Sequence, residues 1–412
     1  MLGNIINTVF SRFAGILLTF LIVWMNTNEI GAQGQGDVAL ISLGILLIVG
    51  INNFMGGGAI VYLTSRIDPG KMLIPCAVWS IMVTLFFTLL FNLVHIVPDE
   101  YIIHVLVLGF MQSLFSFSQQ ICLGKNQVRL FNVLVLFQLT MIAGTLAVYY
   151  FILDQSNTMS YVAALYASFI TTLLLGWIIT KKFVGKLSNK KWRNTIREIW
   201  KYGFYSQTGN VFQLLAYRLG FIFLENLNSR GAVGIFSVGM QINEAVVTPA
   251  KSIATVQYAK LSNSNDKVFN INITLSLLKI SLAITLLLGL ATICLPSSFY
   301  LWLFGDDMEG LKTVLYWLFP GMGALAISSI IAHYFSGTGQ PRHNSIGSLV
   351  TLSSLSVLGW MFIPDGGLIA AAWVSAVAYI LQATYLSIVF FVDEKPDLKA
   401  LRGSLFNLKM LK

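Results

Sequence analysis

Arg12, Arg218, Glu244 and Lys279 stand inside long apolar runs, where charge is expensive. An ionisable side chain at membrane depth faces a bundle interior or a wet cavity, or else reaches the headgroups along its own aliphatic stem. The residue types divide the chemistry. Guanidinium and ammonium groups suit an anion, Arg through a planar fork that grips two oxygens and Lys as a point charge. Glu244 is the one deep acid. It falls at a depth similar to Lys279 on the next run, so the two either form a static ion pair or exchange partners, in which case Glu244 couples an ion or a proton. Arg12 lies about 10 Å from the inner end of its run, close enough to snorkel, whereas Arg218 lies toward the outer third of its own. Lys251, near the inner end of the Glu244 run, reads as an interfacial anchor, and Glu29 and Asp37 as solvated acids of an outer loop.

Other reactive types offer little. Cys76, Cys122 and Cys294 sit in apolar stretches without C-x-x-C spacing and read as small buried hydrophobes. His95, His104, His333 and His343 lie far apart without ligand spacing, so neither a metal nor a catalytic residue is expected.

The elements that must carry these charges follow from composition. With 56% hydrophobic and 10% charged residues over 412 positions, and a mean hydropathy of +0.76, the chain reads as an all-α polytopic membrane protein. The net charge of +9 is no nucleic-acid footprint, because the basic residues sit in short connections. Twelve spans are expected, near 5–25, 38–63, 72–96, 101–123, 130–153, 161–180, 204–224, 231–257, 270–294, 311–333, 343–363 and 368–392. Runs of roughly 20 residues match a hydrocarbon layer about 30 Å thick. Between the sixth and seventh lies a basic connector, 181–203, holding Lys181, Lys182, Lys186, Lys190, Lys191, Arg193, Arg197 and Lys201. Lys and Arg beside span ends stay inside, so the connector and both termini are placed in the cytoplasm. The segment Trp192–Trp200 has helical spacing and reads either as a helix at the inner headgroups or as a solvated loop. Residues 1–180 then form one six-helix bundle, 204–392 a second, and 393–412 a basic cytoplasmic tail.

The halves echo each other. Gly124-x-x-Gln127-x-Arg129 recurs as Gly337-x-x-Gln340-x-Arg342, and Val162-Ala-Ala-Leu-Tyr-Ala-Ser168 as Ile369-Ala-Ala-Ala-Trp-Val-Ser375. A weaker echo links Gly34-Gln-Gly-Asp-Val-Ala to Gly231-Ala-Val-Gly-Ile-Phe. Six spans repeated after an even number keep their orientation, so the repeat is parallel, and two bundles around a central cleft are expected.

The stretches Arg12-Phe-Ala-Gly15, Gly31 to Leu40, Tyr217-Arg218, Gly231 to Val238 with Glu244, the loop Gly337-Thr-Gly-Gln340-Pro-Arg342, and Gly367-Leu-Ile-Ala-Ala-Ala carry a resemblance over essentially the whole chain. The sequence resembles the polysaccharide-transporter branch of the MOP superfamily, the Wzx-type O-antigen flippases, which are similar in fold to MATE exporters. That resemblance implies a flippase, not an enzyme, of the bacterial inner membrane. It would move undecaprenyl-pyrophosphate-linked oligosaccharide from the inner to the outer leaflet by alternating access, for O-antigen and lipopolysaccharide synthesis. It also implies a cleft lined by spans one and seven. Arg12 and Arg218 would then bind the pyrophosphate, Lys279 would assist, and Glu244 would couple H+ or Na+, with no other cofactor. A polysaccharide polymerase and a chain-length regulator become expected partners, and nucleic acid does not.

Two other classes compete. A MATE-like exporter of organic cations wants an acidic cleft, and Glu244 alone supplies a deep acid. A membrane polymerase or glycosyltransferase wants a large outer loop, and the stretch from Pro296 to Gly310 is short.

Overall fold

The computed structural model describes residues 2–64, 67–94, 96–185, 192–227, 230–262, 264 and 266–395. Arg66, His95, the connector's Lys186, Lys190 and Lys191, and 396–412 of the tail lie outside them. A chain in hydrocarbon must satisfy its backbone internally, and this one does so with helices. They are α1 (Leu2–Asn52), α2 (Gly57–Leu63), α3 (Gly70–Val94), α4 (Ile102–Gly124), α5 (Val128–Phe151), α6 (Thr158–Thr180), α7 (Trp192–Glu225), α8 (Arg230–Leu261), α9 (Lys267–Cys294), α10 (Ser297–Phe304), α11 (Leu311–Gly337) and α12 (Arg342–Glu394). Among the described residues eight helical stretches are long and apolar enough to cross a membrane, two of them 42 and 53 residues long, in α1 and α12. The expected runs at 204–224 and 231–257 are helical but fall outside that set, because Gln207, Asn210, Gln213 and Arg218 in α7, and Gln241, Asn243 and Glu244 in α8, lower their hydropathy.

The expected outer loop 26–37 is not a loop. Helix α1 passes through it, broken at Gly31 alone (φ 66°, ψ −171°), and α12 is broken likewise at Gly367 (φ 52°, ψ −134°). Both are left-handed backbone angles that suit glycine. Contacts show what the breaks do. Gly15 meets Leu139, and Asn26 meets Tyr150 at the same sequence separation, so the first run of α1 is parallel to α5. Gly44 meets Val105, Ile48 meets Gly109 and Asn52 meets Ser113, again at one separation, so the second run is parallel to α4. Gln112 and Gln138 join α4 and α5 as an antiparallel pair. The chain therefore reverses at Gly31. It also reverses at Gly367, where Gly347 on one side packs against Leu386 and Gln382 on the other. The sharp breaks are these glycines, while α3 and α8 run on through Pro75 and Pro249. The second expected span is itself divided, since α1 ends at Asn52 and α2 begins at Gly57.

The chain divides into two compact units, Met1–Leu214 and Leu215–Lys412, with the boundary inside α7. In the first unit, six helical runs pair first with fifth, second with fourth, and fourth with sixth, where Gly176 of α6 abuts Ser118 of α4. In the second unit α7 lies along the first run of α12 (Phe223 against Gly359), α8 along α11 (Gly239 against Val314), and α11 along the second run of α12 (Tyr334 against Phe390). Counted from the start of each unit, these are the same pairs.

The repeated loop motifs match atom for atom. Gln127 N–H donates to Cys122 O and Gln340 N–H to Phe335 O, each five residues back, with Asn126 (φ 57°) and Gly339 (φ 80°) in the left-handed position. This is a helix C-cap of the Schellman kind. The leading glycines are close-packed: a Cβ on Gly124 would lie 2.8 Å from Val61 O, and one on Gly337 would lie 2.8 Å from Leu261 Cβ. A clasp also recurs between the start of the third run and the end of the sixth. Asp68 Oδ1 accepts from Gly70 N (2.8 Å) and Gly185 N (2.9 Å) in the first unit, and Lys267 pairs with Glu394 at 2.8 Å in the second.

The connector segment Trp192–Trp200 is neither a separate interfacial helix nor a loop. It is the start of α7 and it docks on the first unit. Ile199 is fully buried there, with Ile196 and Trp200 against Met55, Ile60, Leu63, Met72, Cys76 and Phe117. Trp200 stands edge-on to Trp79 (5.0 Å) and stacks on Phe54 (6.3 Å). Of the cysteines, Cys76 and Cys122 are buried as expected, but Cys294 is exposed.

Gly124→Ala and Gly337→Ala are each expected to cost about 1–3 kcal/mol by overpacking, read as earlier thermal unfolding of the detergent-purified protein. Gly144→Ala, where an added Cβ meets nothing within 4 Å, should leave the midpoint in place or raise it. Unchanged midpoints for Gly124→Ala and Gly337→Ala would show that these crossings are loose.

Candidate functional site in the second unit

The C-terminal part of α7 places Tyr217 and Arg218 on successive positions of a helix whose other faces are packed. Ala216, Phe221 and Leu224 are fully buried, and Leu219 joins a cluster with Leu355, Val374 and Ala378. Arg218 is half-buried. Its guanidinium carbon lies 5.2 Å from the centre of the Phe221 ring, a distance at which the ring face attracts a cation. Its Nε is buried and has no hydrogen-bond partner. Glu225 does not compensate it, because that carboxylate pairs with Arg230 at 3.7 Å across the turn into α8.

Glu244 projects from α8 and is half-buried. Charge reasoning passes over a further residue of this unit. Tyr379 of α12 is fully buried, edge-on to Tyr217 at 5.4 Å between ring centres. Its hydroxyl lies within electrostatic reach of Tyr217, Glu244 and Arg218. That hydroxyl has no hydrogen-bond partner, and neither does the side chain of Asn243, 1% exposed beside Glu244. A cation, an acid, two phenols that touch each other and a buried amide thus belong to one unit. Such a set can hold an anion at Arg218 and shift a proton or an ion at Glu244. Lys279 on α9 is half-buried and engaged with a partner, and Lys251 is half-buried on α8.

Arg12 belongs to the first unit and is exposed. The exposed apolar stripe of its helix is Phe13, Leu17, Leu21 and Trp24, and Arg12 sits roughly 135° around the helix from the centre of that stripe. It therefore does not lie on the apolar face.

Of the two acids expected to be solvated, Asp37 is buried and Glu29 only half-buried. Asp37 is 7% exposed and accepts a long contact from Thr158 Oγ1 at 3.4 Å, while half-buried Glu29 accepts from Ser156 Oγ at 2.7 Å. With fully buried Asn26, which accepts from Tyr150 OH at 3.0 Å, they tie both sides of the Gly31 reversal to the ends of α5 and α6. The loop reading failed because it treated residues around the reversal as unpacked.

Sequence reasoning singled out Arg218 and Glu244 but missed Tyr379 and Asn243. Neutral polar residues inside apolar runs carry no charge signal. The usable hint was adjacency, since Asn243 precedes Glu244 and Tyr217 precedes Arg218.

No protein-family model matches the chain, and no curated relative is found by sequence. Solved structures do match. An inward-facing multidrug resistance MATE family transporter of the MOP superfamily aligns with a TM-score of 0.69 at 15% identity, over 94% of this chain and 96% of its own. The lipid II flippase MurJ, in an inward closed conformation, aligns with a TM-score of 0.69 at 16% identity, over 100% of this chain and 91% of its own. A MOP superfamily transporter from Pyrococcus furiosus, described as having a binding pocket of reversed polarity, aligns at 0.63 and 15% identity, over 97% and 96%. The chain is thus similar in fold to MATE and MOP superfamily transporters.

Removing one member of the Asn26–Tyr150 pair should cost more than removing both. Asn26→Leu strands the Tyr150 hydroxyl and is expected to lose about 1–3 kcal/mol. Asn26→Leu with Tyr150→Phe should recover most of that loss in thermal unfolding. Equal losses for the single and double variants would mean that the bond contributes nothing.

Proposed function

We propose that this protein is a flippase for polyprenyl-pyrophosphate-linked oligosaccharide, of the Wzx type, in a bacterial inner membrane. The observation that carries this reading is the Arg218 site, a half-buried guanidinium with an unpartnered Nε on an aromatic bed. An anionic headgroup faces a prohibitive desolvation barrier at the bilayer centre. A guanidinium within the span lowers the barrier by offering two parallel N–H donors to phosphoryl oxygens. Fold likeness to a lipid II flippase supports the same direction. In this reading the twelve helical runs are twelve spans with both ends in the cytoplasm. Helices α7 and α8 tolerate their charges because they line the pathway. Arg12 and Lys279 add positive charge for the head, and Glu244 exchanges H+ or Na+ as the transporter alternates access. The released product is substrate for a polymerase and its chain-length regulator.

Fold likeness to MATE transporters supports a second reading, cation-coupled export of small molecules. It is the weaker one here, because organic cations favour an acidic pocket and Arg218 would repel them.

Inner-membrane vesicles carrying fluorescent polyprenyl-pyrophosphate oligosaccharide test the choice. Wild type should move the label to the opposite leaflet. Arg218→Ala should slow it by about tenfold or more, the worth of a charge-assisted hydrogen bond, and Glu244→Gln should abolish its response to an ion gradient. A flat trace from folded wild type, with efflux of an organic cation from the same vesicles, would favour the exporter.

A further inference from the structure

We propose that the second unit holds one acyl chain of a phospholipid in an apolar groove between α9, α11 and the second run of α12. Neither Arg218 nor Glu244 lines that groove, so its occupant is independent of what the charged site binds.

The groove has a volume of about 620 Å³, within the range of small-molecule sites. Its floor is low because α11 and α12 carry small residues there, Gly323, Ala324 and Ala383. Gly323 is where α9 closes on α11, since an added Cβ would touch Leu282 and Leu286 at 3.5 Å. The rim consists of larger side chains left bare, Ile380 (39% exposed), Ile388 (57%) and Phe391 (39%). The lining bears no charge and two hydroxyls, those of Thr384 and Ser387. Thr384 Oγ1 donates to Ile380 O of its own helix at 2.8 Å. A groove with so little to offer a polar ligand takes hydrocarbon.

Position along the helices selects the chain. All three helices are long and apolar enough to cross a membrane. On α12 the groove runs from Ile380 to Val392, about 18 Å at 1.5 Å per residue, against roughly 15 Å for half of a hydrocarbon core. Val392 lies just before the end of α12 at Glu394. Asp393 and Lys395 are exposed at that mouth and suit the two charges of a zwitterionic headgroup. The far end of the groove is at mid-depth, because Leu282 falls near the middle of α9 and Pro320 and Gly323 toward the middle of α11. The groove therefore reaches from headgroup level to the midplane, the span of one phospholipid chain, and a much longer polyprenyl chain would overrun it. Met82 and Leu85 in the middle of α3 stand out at 57% and 62% exposure, so a lipid chain passing them touches protein on one side. In the groove it touches α9, α11 and α12 together, and dispersion contacts sum.

Photolabelling tests this with full-length protein in phosphatidylethanolamine nanodiscs, a trace of the lipid carrying a diazirine near the end of one acyl chain. Insertion, mapped by peptide mass spectrometry, should fall on Leu282, Pro320 and Ile380. Their yield should exceed that at Met82 and Leu85 by about fivefold or more, the gain from contact on several sides. Thr384→Trp adds a ring to the groove from an exposed position and leaves the core alone. It should bring groove insertion down to the α3 level while α3 insertion stays unchanged, and Gly323→Leu, which fills the floor, should do the same. Equal yields at the two places in wild type overturn the proposal, as do groove yields that Thr384→Trp leaves in place. A few mole per cent of unlabelled polyprenyl phosphate should not displace the label. Displacement at that level would give the groove to an isoprenoid chain and end its assignment to phospholipid.

Discussion

Hydrocarbon offers the backbone no hydrogen-bond partner, and most of this architecture answers to that constraint. Every run in the bilayer must be helical, so the chain has two places to vary: where it reverses and how closely its helices cross. Glycine governs both. Gly31 and Gly367 take backbone angles that let a helix reverse with almost no loop. Gly124 and Gly337 let one helix end lie against another at backbone distance. Since lipid tails are as apolar as leucine, helices gain from close packing and from interhelical hydrogen bonds worth about 0.6 kcal/mol on average. A methyl group at such a crossing removes the packing that holds the pair.

The repeat shows how far that logic reaches. Gly124 meets Val61 O, and Gly337 meets Tyr258 O, at equivalent points of the two halves. The Asp68–Gly185 and Lys267–Glu394 clasps close the same corner by different chemistry, a carboxylate on backbone N–H groups in one unit and a salt bridge in the other. Lys267 stands at a helix N-terminus and Glu394 at a C-terminus, each on the unfavourable end of a helix dipole, and pairing them offsets both. The geometry is kept while the residues that deliver it differ, which is why the loop motifs were legible in the sequence and the clasps were not.

Legibility followed the strength of the local signal. Apolar runs of span length located α3, α4, α5, α6, α9 and α11 to within a few residues, because nothing but a helix satisfies such a run. The repeated glutamine motif marked equivalent positions of the two halves, and the structure makes both of them helix caps. Misreadings arose where a polar sequence is helical for reasons of packing. Residues 26–37 look like a loop by composition, yet Asn26 and Asp37 are buried against Tyr150 and Thr158. Residues 195–200 look interfacial, yet Ile199 and Trp200 bury against a groove that becomes apolar only when α2, α3 and α4 come together. At the candidate site the charges were visible and their setting was not, since a tyrosine on α12 cannot announce from sequence that it will lie beside an arginine on α7.

The same reasoning explains why α7 and α8 fall short of the apolarity of a membrane span. A helix surrounded by lipid cannot carry Arg218 or Glu244 at depth without a compensating partner. Helices packed within their own unit by Ala216, Phe221, Leu224, Val233, Phe236 and Val247 can reserve another face for charge. The first unit spends its buried polar groups on stitching helices together, Asn26 to Tyr150, Ser42 to Tyr161, Asn52 to Ser113 and Gln112 to Gln138. The second unit, built on the same helix pairing, leaves Tyr379, Asn243 and the Nε of Arg218 without such ties. Unpartnered buried atoms occur in the first unit too, Asn26 Nδ2, Asn52 Oδ1 and Trp79 Nε1 among them, so the second is set apart by one such atom belonging to a cation.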